Sequence, residues 1–240
     1  MSEFRYDDVT IHYEIRGEGF PILLFAPGGM RSAISFWRGS EWNPIDTLSN
    51  DFRVIAMDQR NAGSSRAPVS RNDDWSTYTE DHIALMDYLD IEQAHLLGGC
   101  IGGPYCYGVI QAAPERVASA VLQQPIGNEN NRDLFFAMFD AWADAIKTEH
   151  AEASESDWQS FRTNMFDRPF LYNTTREFVA QCPTPILVLM GNDPYHPESV
   201  SREIADLSPN AQLVEQWKNP EVDNTVAQVR TFLSKHTPNE

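Results

Sequence analysis

The residues best suited to chemistry in this chain are Gly98-Gly99-Cys100-Ile101-Gly102-Gly103. An apolar run, 94–97, precedes them and a helix-like stretch, 104–110, follows. That order describes a strand-to-helix turn with G-x-C-x-G at its tip, the nucleophile-elbow pattern with cysteine where serine is usual. So sharp a turn brings strand and helix together on either side of the tip, and Gly98 and Gly102 leave room for the approach. It would also lift Cys100 above the sheet at a helix N-terminus, where the dipole favours a thiolate. The alternative is a glycine-rich turn holding an inert buried cysteine.

Such a turn needs a sheet to carry it. Residues 9–15 alternate as an exposed antiparallel strand does, whereas 21–26 and 53–57 are continuous apolar runs, as strands covered on both faces are. Further strands are expected at 94–97, 117–122, 186–190 and 212–217. Helices are expected at 79–89, N-capped by Ser76 or Thr77, and at 200–207 and 222–233. Alternating strands and helices predict an α/β fold with a mostly parallel, doubly wound sheet and a ligand site at the strand C-terminal ends. Between 127 and 182 the strand pattern stops, and aromatic residues such as Phe135, Phe139, Trp142 and Phe166 crowd a helical stretch. The expected organisation is a core from 1–126 and 183–240, interrupted by a small helical cap insertion at 127–182. The cap aromatics can serve packing, a ligand pocket, or both.

Composition narrows the function. The 240 residues hold 35 acidic and 18 basic side chains, a net charge of −17 that repels phosphate backbones and anionic lipid. Nucleic-acid and membrane partners are therefore not expected, and a small-molecule substrate is; association into homo-oligomers is left open. Three cysteines make no disulfide framework and suit a reducing cytosol. The first residues lack a basic segment followed by an apolar one, and no apolar run reaches about 18 residues. The expectation is a soluble, cytoplasmic protein. Neither a metal-ligand spacing nor a dinucleotide or phosphate fingerprint occurs, so no cofactor and no metal is expected.

Taken with three further motifs, the chain resembles the α/β-hydrolase superfamily over essentially its whole length. Asp58-Gln59-Arg60-Asn61-Ala62-Gly63-Ser64-Ser65 is similar to that family's D-x-R-G-x-G-x-S loop, with Asn61 for the first glycine. Ala26-Pro27-Gly28-Gly29-Met30 is similar to its H-G-x oxyanion loop, with Pro27 for histidine, and Gly191-Asn192-Asp193 matches its acid-bearing turn. The resemblance implies an α/β-hydrolase fold, Cys100 as nucleophile and Asp193 as acid. It also implies an oxyanion hole from the backbone N–H of Ile101 and that of Gly29, with Met30 as the neighbouring candidate. Asp58 and Arg60 are expected to brace the loop around Gly63, and Cys106 and Cys182 to be structural.

The family's order is nucleophile, acid, histidine. Only His196 and His236 follow Asp193, and the usual third place, the loop 218–220 after the last strand, holds no histidine. His236 is read as part of a polar tail beyond the last helix. His196, in Pro194-Tyr195-His196-Pro197, is either a rim histidine without a catalytic part or the base turned toward Cys100. Lys218 is a further conceivable base, with an exposed surface lysine as the simpler reading. Cysteine needs a base less than serine does, so acylation could proceed without one while hydrolysis of the thioester would be slow. Dienelactone hydrolases and polyhydroxyalkanoate synthases are similar in using an elbow cysteine, and only that role carries over. The leading expectation is an enzyme for small, largely apolar esters, lactones or thioesters. The alternatives are a lyase or isomerase on the same scaffold, or a ligand-binding protein that has lost the catalytic histidine.

Overall fold

The computed structural model describes residues 2–238, so Met1 of the N-terminal reading and the last two residues of the 183–240 segment lie outside it. Eight strands form one sheet in the order β1-β2-β4-β3-β5-β6-β7-β8. They are β1 (Ser2–Tyr6), β2 (Val9–Arg16), β3 (Pro21–Phe25), β4 (Arg53–Met57), β5 (Ala94–Gly99), β6 (Val117–Gln123), β7 (Ile186–Leu189) and β8 (Ala211–Val214). The β1–β2 and β2–β4 pairs are antiparallel and all others parallel.

The continuous apolar runs are explained by two separate cores. Leu23 and Phe25 of β3 point into one, with Ile55, Met57, Leu96 and Leu122. Ile22 and Leu24 point into the other, with Val54, Ala56, Leu97 and Val121. The first core is closed by α3 (Trp75–Tyr88), α4 (Gly102–Ala112), α8 (Glu198–Leu207) and the helices between β6 and β7. The second is closed by α1 (Ile34–Arg38), α2 (Pro44–Leu48) and α9 (Val222–His236). Helices on both faces make the sheet doubly wound. Between β6 and β7 lie α5 (Arg132–Ile146), α6 (Glu155–Phe166) and α7 (Arg176–Gln181).

Several sequence expectations need correction. Residues 9–15 are not an exposed strand, because β1 pairs along their outer edge and Ile11, Tyr13 and His12 are buried. The helix expected from Thr79 starts at Trp75, since Asp74 rather than Ser76 or Thr77 caps it and accepts from Ser76 N–H at 2.7 Å. The strand expected to reach Trp217 ends at Val214, and the short helices α1 and α2 carried no readable period. His236 is not in a tail but in the last turn of α9, its ring against Phe232 at 4.9 Å. Among the described residues no helix is long and apolar enough to cross a membrane.

Candidate active site

Cys100 sits between the last residue of β5 and the first turn of α4 with φ +58°, a left-handed conformation that non-glycine residues adopt rarely. The turn is clamped by its own backbone. Cys100 N–H donates to Gln123 O at 2.9 Å, and Cys100 O accepts from Gly103 N–H at 3.1 Å and Ile126 N–H at 3.3 Å. A methyl group on Gly98 would stand 2.0 Å from Gly102 O, and one on Gly102 would stand 2.3 Å from Phe25 O. Both positions therefore require glycine.

Asp193 and His196 come from the loop that follows β7. Pro194 and Tyr195 form the two-residue tip of a tight turn closed by His196 N–H donating to Asp193 O at 3.0 Å and Asp193 N–H to His196 O at 3.3 Å. Asp193 Oδ1 accepts from the N–H groups of Tyr195 (2.9 Å) and His196 (3.1 Å), which fixes the carboxylate. It then holds the imidazole through Nδ1, at 2.8 Å to Oδ1 and 2.7 Å to Oδ2. Gly191 lets the loop fold back, because a Cβ there would meet His196 O at 2.4 Å. From the segment between β6 and β7, Asn131 Nδ2 donates to Pro194 O at 2.9 Å.

With Nδ1 committed to Asp193, Nε2 is left as the working nitrogen. It is buried without a well-formed hydrogen bond, and its electrostatic partner is the Cys100 thiol. Burial alone would raise the thiol's pKa, but the nearby His196, with the backbone N–H groups of Gly28 and Ile101, brings it below its ordinary value. Burial likewise opposes a charge on His196, yet Cys100 and then Asp193 outweigh it and raise the ring to about 9. Each shift favours the charged form of its group.

The backbone N–H groups of Gly28 and Ile101 both lower the Cys100 thiol, and Gly28 has a φ of +119°. Gly29 lines the same cavity. Met30 N–H donates to Met138 Sδ at 3.4 Å. The cavity above Cys100 measures about 260 Å³. Its walls are almost wholly apolar, with Ile126 from the loop after β6, Phe135 and Met138 from α5, and Tyr195 from the acid loop. The other aromatics of 127–182 mainly pack on one another, as Phe139 does on Trp142 (5.2 Å) and Phe161 (5.1 Å).

The remaining candidates lie elsewhere. Asp58 braces its loop by accepting from Ile34 N–H and Ser64 N–H, both at 2.8 Å, while Arg60 forms a buried two-pronged pair with Asp81 at 2.7 and 2.8 Å. Asn61 replaces glycine because it too takes a left-handed φ, +56°, and its Oδ1 accepts from Ala67 N–H at 2.8 Å. Lys218 donates to Asn192 Oδ1 at 3.1 Å and lies over the Trp217 ring, outside the cavity wall. Cys106 and Cys182 are buried.

A family model described as alpha/beta hydrolase fold matches residues 21–167. A non-heme chloroperoxidase of Streptomyces lividans is 35% identical over 157 residues, 61% of this chain and 54% of that protein. A 2-hydroxymuconate semialdehyde hydrolase of a Pseudomonas species is 30% identical over 112 residues, 46% of this chain and 38% of its own. The aligned stretches thus span about half of these relatives or less. A solved 2-hydroxy-6-oxo-6-phenylhexa-2,4-dienoate hydrolase from a Rhodococcus species superimposes with a TM-score of 0.74, covering 97% of each chain at 18% identity.

Proposed function

The chain belongs to the α/β-hydrolase family, and on that premise we propose that it hydrolyses a small, largely apolar ester, lactone or thioester through a Cys100 thiolate. The arrangement that supports this reading is His196, fixed by Asp193 through Nδ1, its Nε2 left without a partner and its ring lowering the Cys100 thiol. The hydrolase named among its relatives supports the reaction class.

The reaction follows from those groups. The Cys100 sulfur attacks the substrate carbonyl carbon, and the carbonyl oxygen takes up the electron pair as an oxyanion. The N–H groups of Ile101 and Gly28 stabilise it, with Gly29 next to them. Collapse expels the alcohol or thiol oxygen or sulfur, which takes the Nε2 proton of His196. Neutral His196 then removes a proton from water as the water attacks the thioester. Collapse of this second tetrahedral species releases the carboxylic acid and returns the thiolate and imidazolium. The apolar 260 Å³ wall favours an uncharged acyl group.

A pulse of p-nitrophenyl acetate followed by mass spectrometry tests this. The expected result is a +42 Da (acetyl, about 42) adduct on Cys100 that disappears on standing, and a Cys100→Ser variant slower by roughly 10²-fold or more. An unlabelled Cys100, or a serine variant as fast as the wild type, would overturn the proposal.

A further inference from the structure

Gln124 is the one amide side chain in the wall of the Cys100 cavity, and its Oε1 is buried without any hydrogen-bond partner. A buried carbonyl oxygen without a donor forfeits the hydrogen bonds it had in water, so such an atom in a binding cavity marks the place of a ligand's N–H or O–H. The neighbouring Gln123 also has an unpartnered Oε1, but it does not line the cavity. Two features fix Gln124 there. Its φ is +41°, a left-handed value that costs a glutamine energy. Its own N–H donates to Leu189 O at 2.7 Å, extending the β6–β7 pairing one residue past the strand. The same crossing holds the nucleophile, since Cys100 N–H bonds Gln123 O on one side of Gln124 and Ile126 N–H bonds Cys100 O on the other. The carboxamide is therefore registered to Cys100 by backbone on both sides.

Building on the acyl-site reading above, we propose that Gln124 Oε1 is the specificity group of this cavity and accepts an N–H or O–H carried by the substrate's acyl portion. The preferred substrates are then uncharged acyl derivatives with one hydrogen-bond donor close to the reacting carbonyl. Among the described residues no Lys or Arg lines the cavity, and the charge of His196 is already matched by Asp193 and Cys100, so a substrate carboxylate would lack a free counter-charge. Simple alkyl acyl groups fit the same space but leave Oε1 unpaired, and a site with a buried polar group discriminates strongly against a ligand that cannot pair it.

Phenyl glycolate and phenyl propionate form a matched pair, differing by a hydroxyl in place of a methyl. In Gln124→Met, which keeps length and removes the acceptor, the ratio of kcat/KM for the glycolate to that for the propionate should fall about 10- to 100-fold. Gln124→Asn, which tolerates a left-handed φ but withdraws the amide, should show the same selective loss. Equal losses for both esters, or none, would overturn the assignment. Titration of Cys100→Ala protein with the two esters separates this inference from the one it rests on, because no chemistry is needed. A glycolate preference that Gln124→Met abolishes sustains the inference even if no acyl-enzyme ever forms, and the absence of a preference sinks it even if turnover is rapid.

Discussion

At the scale of single residues, the pair to test is Cys100 with His196. The thiol is lowered and the ring is raised to about 9, so each partner favours the charged form of the other. Alkylation of Cys100 by iodoacetamide should therefore be rapid at neutral pH. In His196→Ala the profile should move to higher pH, with a roughly tenfold slower rate at pH 7 for each unit of pKa regained. For ester turnover, kcat/KM should rise with the thiolate fraction and fall above about pH 9, as His196 loses the proton needed by the leaving group. An alkylation profile indifferent to His196→Ala would make it a rim histidine. Cys100 and Asp193 were legible because each follows an apolar run in a recognisable turn. His196 was legible only as one of two alternatives, rim residue or base, because spacing alone does not reveal the turn that Pro194-Tyr195 closes. The place of Gly28 beside the thiol and the unpartnered Oε1 of Gln124 were invisible, because residue type encodes neither backbone torsion nor an unpaired atom.

At the scale of elements, the strand-to-helix turn after β5 works by close approach, so its glycines should be intolerant in proportion to what surrounds them. Gly98→Ala puts a methyl 2.0 Å from backbone oxygen, and the sheet and α4 cannot both stay in place. The expected cost is about 3 kcal/mol or more, with loss of Cys100 alkylation, read by urea unfolding and labelling. Gly39→Ala is the control: its nearest neighbour would be 4.0 Å away and its φ is −102°, so the change should stay within about 0.5 kcal/mol. Comparable effects at both sites would mean that the turn is not held by sterics. The doubly wound sheet was legible for the same reason that these glycines were. Strands 21–26 and 53–57 must be apolar on both faces, and the turn must be bare. The edge strand β1 was not, since Ser2–Tyr6 is largely exposed and buries only Phe4 deeply. Nor were α1 and α2, whose five residues each are too few for a helical period to emerge.

At the scale of the whole molecule, net charge and buried histidines make opposite claims about acid. With a charge of −17, protonating surface carboxylates relieves self-repulsion, and on that ground alone stability would rise as pH falls. The interior argues the reverse. His95 is held between Ser119 Oγ at Nδ1 (2.8 Å) and Thr237 Oγ1 at Nε2 (3.0 Å), which ties β5 to β6 and to the end of α9. Burial, aided by the charge of His236, lowers its pKa to about 4. Burial and then Arg60 lower His82, paired with Gln59, to about 3. The unfolded chain binds these protons near pH 6.5 and the folded chain does not. The contribution is therefore full above 6.5 and is lost as pH falls through 4 and then 3. His196 has the opposite sign, complete below 6.5 and lost as pH rises through 9, but the lowered Cys100 thiol offsets it over the same alkaline range. Between pH 7 and 4.5 the two buried histidines should thus cost on the order of 4 kcal/mol, more than diffuse surface repulsion returns through a screened solvent. Urea unfolding at several pH values reads the slope. A His95→Gln variant, whatever its stability at pH 7, should lose roughly half of it. A stability that instead climbs toward pH 4.5, or a slope unchanged in His95→Gln, would hand acid behaviour to the surface charge.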